Sequence, residues 1–135
     1  MRITVPLHVA FDLVWIGSIA AVGLLLAKGP GDSRSRGVAA LTVYRTLSVP
    51  AFIGAFVLGL IALGRDVDLY FKHTRFMHAK LLLALFVIGL HHALGARARK
   101  MAEGSVDGEG PAWLLAQVLV GLAGVVTYLA VAKPF

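Results

Sequence analysis

The sequence predicts an all-α protein, a four-helix transmembrane bundle in a single domain covering residues 1–135. Of these residues, 59% are hydrophobic and only 15% are charged, whereas a soluble domain is about half apolar and a quarter charged. Four stretches reach the roughly 20 mostly apolar residues that a helix needs to cross a bilayer. The alternation typical of β-strands does not occur. These observations define the class, an integral membrane protein.

Polar or glycine-rich segments separate the four predicted spans. The first covers residues 5–27 and ends at a loop signal of glycine and proline. We expect it to stay in the protein, because its apolar run is longer than that of a cleaved signal peptide. The second, third and fourth spans cover residues 41–64, 73–94 and 112–132. Short connections make consecutive helices antiparallel neighbours.

The charge of the chain is typical of a protein with basic loops at the membrane surface. The formal net charge is +6, but the apolar composition argues against a nucleic-acid binder. The positive-inside rule places both termini outside by a margin of one basic residue. The loops after spans one and three carry Lys28, Arg34, Arg36, Arg97, Arg99 and Lys100, and the opposite side carries Arg2, Arg65, Lys72, Arg75 and Lys133. Cysteine is absent, which excludes disulfides and thiolate metal sites.

Ionisable side chains inside the predicted spans are the candidate functional residues, since each costs a few kcal/mol in the membrane and usually faces a cavity, partner or cofactor. His8 and His78 begin spans one and three, which run parallel, so we expect them at the same depth. Asp12 and Trp15 share the helix face of His8. A carboxylate one turn away can accept the second ring proton of a metal-bound imidazole. We therefore predict His8 and His78 as metal ligands; the alternative is an interfacial His8 with Asp12 paired to a basic group.

Haem is the group that this set of residues favours. Zinc or copper would require further ligands, and methionine is sparse. Haem requires axial ligands, an apolar slot and cations for its propionates, and Lys72, Arg75 and Lys80 lie near His78. The chain lacks a Cys-x-x-Cys-His attachment motif, so the haem would be non-covalent haem b. The predicted cofactor-binding residues are His8, Asp12, Trp15, Arg75 and His78.

The other end of the bundle carries a second group of polar residues. His92 lies about 21 Å along the helix from His78 at 1.5 Å per residue, so one haem cannot use both. His91 is its neighbour, and Tyr44 and Arg45 of span two lie at the same surface. We interpret His91 and His92 as interfacial histidines, and a second metal or haem site there is left open.

Small residues indicate close helix packing. Ala51, Ala55 and Gly59 repeat every four residues in span two, and Gly17 and Ala21 repeat the pattern in span one. Such stripes let helix backbones approach closely. They predict packing seams within the bundle or between protomers, so a homo-oligomer is left open.

Five short motifs occur in order along the chain. They are Leu7-His8-Val9 with Val14-Trp15-Ile16-Gly17; Arg45 with Pro50-Ala51; Phe76-Met77-His78-Ala79-Lys80 continued by Gly89-Leu90-His91-His92; Glu109-Gly110-Pro111; and Val131-Ala132-Lys133-Pro134-Phe135. Together they resemble the HemJ-type protoporphyrinogen IX oxidases, small four-helix membrane proteins. The chain departs from the pattern at Leu26-Ala27-Lys28-Gly29, where the family has a Pro-Arg-rich segment, at Val49 in place of Trp, and at Gly108 in place of Asn. The first helix also looks like the copper-resistance D-type membrane domain.

The resemblance implies oxidation of protoporphyrinogen IX to protoporphyrin IX, with haem b passing electrons to a membrane acceptor such as quinone. It also implies a multi-pass protein of the inner (plasma) membrane. As cations inside spans, Lys80 and Arg45 are expected to bind substrate or propionate carboxylates, Lys80 near the haem and Arg45 on the loop side. The alternative to carboxylate binding is that the Arg45 side chain extends to the phosphate region at the membrane surface. The alternative function is a non-enzymatic membrane haem or copper protein, for electron transfer or copper-resistance D-like transport.

Overall fold

A computed structural model describes residues 3–73 and 75–132. Arg2 and residues 133–135, which entered the charge balance and the C-terminal motif, lie outside the described residues. Within the described ranges the fold is all-α, which confirms the predicted class. The elements are α1 (Thr4–Lys28), α2 (Ser33–Val43), a π-helical turn (Tyr44–Ser48), α3 (Val49–Arg65), α4 (Val67–Lys72), α5 (Phe76–Ala102) and α6 (Ala112–Ala132).

Four helical stretches are long and apolar enough to cross a membrane: Thr4–Lys28, Ser33–Arg65, Phe76–Ala102 and Ala112–Ala132. The second begins eight residues before the predicted 41–64 span, because Asp32 caps it. The Asp32 side chain accepts a hydrogen bond from the Ser35 backbone N–H at 2.8 Å, which starts the helix. This bond holds the pKa of Asp32 below its ordinary value.

The helix that covers residues 33–65 changes its packing partner along its length. Its first part, α2, packs against α5 and α1, whereas α3 packs mainly against α1. In the described part of the chain, α3 and α5 are not closely packed. The π turn and Pro50, which has no backbone N–H for the helix ladder, lie where the partner changes. α6 completes the bundle against α1 and α5.

Small residues set the close approaches between helices. Ala51 and Ala55 are buried, and Gly59 faces the ring of His8 on α1. This predicted seam therefore lies inside the bundle, between α1 and α3. Gly17 is exposed, and a Cβ there would meet nothing within 4 Å. It makes no such contact within the described chain.

Candidate functional site

His8 joins α1 to α3. Its Nδ1 lies 2.7 Å from the backbone oxygen of Ala55. Because a carbonyl oxygen can only accept, Nδ1 carries a hydrogen and donates it. Its Nε2 lies 3.2 Å from Oδ2 of Asp12, one turn further along α1. Since both partners are acceptors, both ring nitrogens carry a hydrogen in this arrangement, and Nε2 of the imidazolium donates to the Asp12 carboxylate. Gly59 leaves the space in which the ring lies.

Asp12 lies between His8 and a cation on α5. Its carboxylate interacts electrostatically with His8 and with Lys80. Lys80 is half-buried on α5 and interacts with Asp12 without forming a direct ion pair. The side chain of Asp12 keeps 31% of its surface exposed. The three residues form a polar cluster across two helices, α1 and α5, which we call the His8–Asp12–Lys80 cluster.

This cluster lies where α1 meets both α3 and α5, since His8 contacts α3 and Asp12 interacts with Lys80 of α5. Because α3 and α5 both pack against α1 but not closely against each other, we call the region between them the cleft. Phe52 and Phe56 of α3 pack together with ring centroids 5.9 Å apart. Phe52 also reaches α5, where it stacks on His91 at 4.8 Å. Phe52 therefore bridges α3 and α5 at the level of His91.

A second polar group lies around His91. His91 is fully buried, and its Nδ1 accepts a hydrogen bond from Trp15 Nε1 at 3.0 Å. An indole N–H can only donate, so the remaining hydrogen of the neutral ring lies on Nε2, which donates to the Tyr44 hydroxyl at 3.3 Å. Gly95 accommodates the ring of Tyr44. This aromatic hub, formed by Trp15, Tyr44, Phe52 and His91, has no free imidazole nitrogen.

Two serines extend the hydrogen bonding of the hub. Ser18 donates to the backbone oxygen of Trp15 at 2.9 Å, and its hydroxyl lies 2.8 Å from that of Ser48. Both serines are buried. The π turn, which contributes Tyr44 and Ser48, is thereby linked to α1 and α5.

The structure places the predicted site residues in different surroundings. Trp15 binds His91 in the hub. His78 is exposed, with its ring edge-on to Phe71 at 5.3 Å. Arg75 is exposed directly before α5, and Arg45 is exposed in the π turn. Only His8, Asp12 and Lys80 of the predicted set are brought together.

The arrangement of His8 differs from the one expected for a metal-bound imidazole. Asp12 was expected to accept the second ring proton while the other nitrogen held iron. In the structure the Ala55 carbonyl binds Nδ1 and Asp12 binds Nε2. His8 and His78 as placed do not fit a bis-histidine haem, because His8 would have to break a bond to offer a nitrogen. Their roles as ligands stay a prediction.

Two further observations concern other ligand sites. Within residues 3–73 and 75–132, no group of three or more His, Cys, Asp or Glu side chains is placed to hold a metal ion. A surface cavity of about 490 Å³ lies beside Asp32 and Asp107. Another, of about 700 Å³, lies on the outer face of α1 and α6 beside Leu24 and Trp113. Neither contains a predicted site residue.

The interpretation of His91 as an interfacial histidine is wrong, because its exposed fraction is 0%. A helical pattern could have identified its burial. Val87, His91, Leu94 and Ala98 follow at spacings of four, three and four residues, and all four are buried. The neighbouring basic residues, which suggested an interface, lie on a helix that continues to Ala102.

No protein-family profile, curated protein or solved structure matches the chain. The class of protein defined by its fold is an all-α helical bundle with membrane-spanning character.

Proposed function

We propose that this protein is a membrane oxidoreductase that oxidises protoporphyrinogen IX to protoporphyrin IX and passes the electrons to a membrane acceptor such as quinone. The observation that supports it best is the position of Lys80, half-buried and facing Asp12 in a cleft between two apolar helices. A cation at such a depth is functional by default. The proposal includes a multi-pass location in the inner (plasma) membrane.

The chemistry of the cleft suits a tetrapyrrole that arrives from the bilayer. The substrate is largely apolar and carries two carboxylates. Phe52 and Phe56 offer aromatic surface, and Lys80 offers a charge-assisted hydrogen bond to one carboxylate. Arg45, exposed in the π turn, lies at a different depth, on the loop side, so it cannot bind the same carboxylate as Lys80.

Electron transfer requires a group that the side chains do not supply, since removal of six hydrogens needs a redox carrier. The resemblance implies haem b for this role. Because His8 and His78 as placed do not fit it, the haem part of the proposal is tested by its own readout, the optical spectrum.

The test compares the wild type with Lys80→Met in a strain that lacks its own protoporphyrinogen oxidase and as purified protein. Lys80→Met keeps the side-chain length and removes the charge. We expect a folded protein with about a 10- to 100-fold lower oxidation rate, since hydrogen bonds to charged groups contribute about 1.5–3 kcal/mol. Lys72→Met is the matched control, because Lys72 is exposed and only paired with Asp68; its rate should be unchanged.

Three outcomes would count against parts of the proposal. A wild-type protein that neither complements the strain nor oxidises the substrate contradicts the enzyme function and favours a non-enzymatic haem or copper protein. Equal rates for Lys80→Met and Lys72→Met contradict the role of Lys80. A purified protein without Soret and α bands after haem supplementation contradicts haem b.

A further inference from the structure

We infer that Asp12 recognises the reduced tetrapyrrole by accepting hydrogen bonds from its pyrrole N–H groups, and that His8 positions the Asp12 carboxylate for this. The inference rests on the proposed function and names what selects its substrate. It assigns a specificity-determining residue that stands between two segments of the motif resemblance, residues 7–9 and 14–17, and belongs to neither.

The carboxylate of Asp12 is held from one side only. Its Oδ2 lies 3.2 Å from Nε2 of His8, and His8 is itself bound to the Ala55 backbone at 2.7 Å. Gly59 leaves room for this ring. Its orientation is therefore set by the backbone of α3, a rigid support.

The other side of the carboxylate is not held by any described residue. Oδ1 takes no hydrogen bond from any residue in the described ranges, and 31% of the side chain is exposed. Lys80 neutralises charge nearby without a direct ion pair. A carboxylate can only accept hydrogen bonds, so the free oxygen fits a ligand that presents N–H donors.

Protoporphyrinogen and protoporphyrin differ in the donors that they present. The porphyrinogen has four pyrrole N–H groups on a flexible macrocycle. The porphyrin has two N–H groups and two imine nitrogens whose lone pairs repel a carboxylate. Both carry the same two propionates, which Lys80 would bind equally. A site built to bind N–H donors discriminates against a related molecule in which some of them are replaced by acceptors, so Asp12 favours the substrate over the product.

The experiment measures the binding of both tetrapyrroles to the purified full-length protein, without oxygen or any electron acceptor so that no turnover occurs. Asp12→Asn should weaken protoporphyrinogen binding about tenfold or more, as expected for the loss of a charged acceptor. Protoporphyrin binding should change less than about threefold, because it uses the acceptor less. Asp68→Asn is the matched control, since Asp68 also forms an i,i+4 pair, with Lys72, but is exposed on α4.

Two more variants test the inference even if the Asp12→Asn protein does not fold. Asp12→Ser also removes the carboxylate and should likewise lose the preference for protoporphyrinogen over protoporphyrin. His8→Asn can still donate to the Ala55 carbonyl but is too short to hold Asp12, so it should lose part of the preference. A His8→Asn protein with the full wild-type preference overturns the positioning role.

The outcomes separate this inference from the proposed function. If the wild type oxidises the substrate but Asp12→Asn keeps the wild-type preference, the inference is overturned and the proposed function stands. Equal weakening of both ligands also overturns it, since this result indicates a structural role. A wild type that neither binds nor oxidises either compound overturns both.

Discussion

The two halves of the bundle differ in how far their polar side chains are buried. The loop-side half is the half that carries the connections at residues 29–32 and 103–111, and the N-terminal half is the other. In the loop-side half His91 is fully buried and bound at both ring nitrogens. In the N-terminal half the side chains of His8 and Asp12 remain 19% and 31% exposed.

The difference follows from the packing of the helix that covers residues 33–65. Its first part packs against α5, and its second part turns to α1. Accordingly, the largest fully buried side chains of the described chain all lie in the loop-side half. They are Ile19, Val22, Leu26, Ser48, His91, Leu94, Met101 and Leu119.

The comparison shows that a polar residue in a span does not by itself mark a functional site. The hub satisfies its polar atoms internally, so it stabilises the fold. The His8–Asp12–Lys80 cluster leaves one oxygen of Asp12 without a hydrogen bond from a described residue and its side chain partly exposed. The function proposed for the N-terminal half therefore rests on accessibility and not on polarity alone.

The largest expected effect on stability comes from His91→Leu. Leucine is similar in size, but it leaves the Trp15 N–H and the Tyr44 hydroxyl buried without partners. Each such group costs about 1–3 kcal/mol, so we expect the free energy of unfolding to fall by about 3 kcal/mol or more. Denaturant titration of the purified protein in detergent, followed by circular dichroism, measures this change.

His92→Leu is the control for this prediction, because His92 is adjacent and exposed. It should change the free energy of unfolding by less than about 0.5 kcal/mol. Equal changes in the two variants would contradict the conclusion that the buried hydrogen bonds of His91 stabilise the loop-side half.

A smaller effect is expected from Gly95→Ala. A Cβ at residue 95 would overlap the ring and the hydroxyl of Tyr44, the group that binds His91. Overpacking of this kind costs about 1–3 kcal/mol. The control on the same helix is Gly89→Ala, where a Cβ meets nothing within 4 Å. If both variants melt at the same temperature, the tight fit of Tyr44 is refuted.

The smallest effect is expected from Gly59→Ala in the N-terminal half. A Cβ there would lie 3.0 Å from Cε1 of His8, whose ring can shift towards the cleft. The gain in helix propensity, about 1 kcal/mol, offsets this crowding, so the net change should stay below about 1 kcal/mol. Thermal unfolding beside Gly64→Ala, which has open space on the same helix, measures it. A loss as large as that of Gly95→Ala would show that the two halves are equally rigid.

Local features of the sequence were enough to predict the helices and one seam. The apolar stretches identified the four helices that are long and apolar enough to cross a membrane, because this property depends on the length and composition of each segment. The stripe of Ala51, Ala55 and Gly59 predicted a packing seam because only small residues permit close approach, and the structure places this seam between α1 and α3. The approach of Asp12 to Lys80 was not predicted, since the angle between two helices is not a local property.

The sequence by itself determined the class of the protein, its four helices and the polar residues inside them, because hydrophobic length and helical periodicity are read one segment at a time. Only the tertiary structure decided which polar residues are fully buried and which stay partly exposed. His8 and His91 are both histidines in apolar helices, yet one lies at a cleft and the other in a core. The physical reason is that burial and hydrogen-bond partners come from neighbouring helices. Here they depend on where the helix that covers residues 33–65 stops packing against α5 and packs mainly against α1.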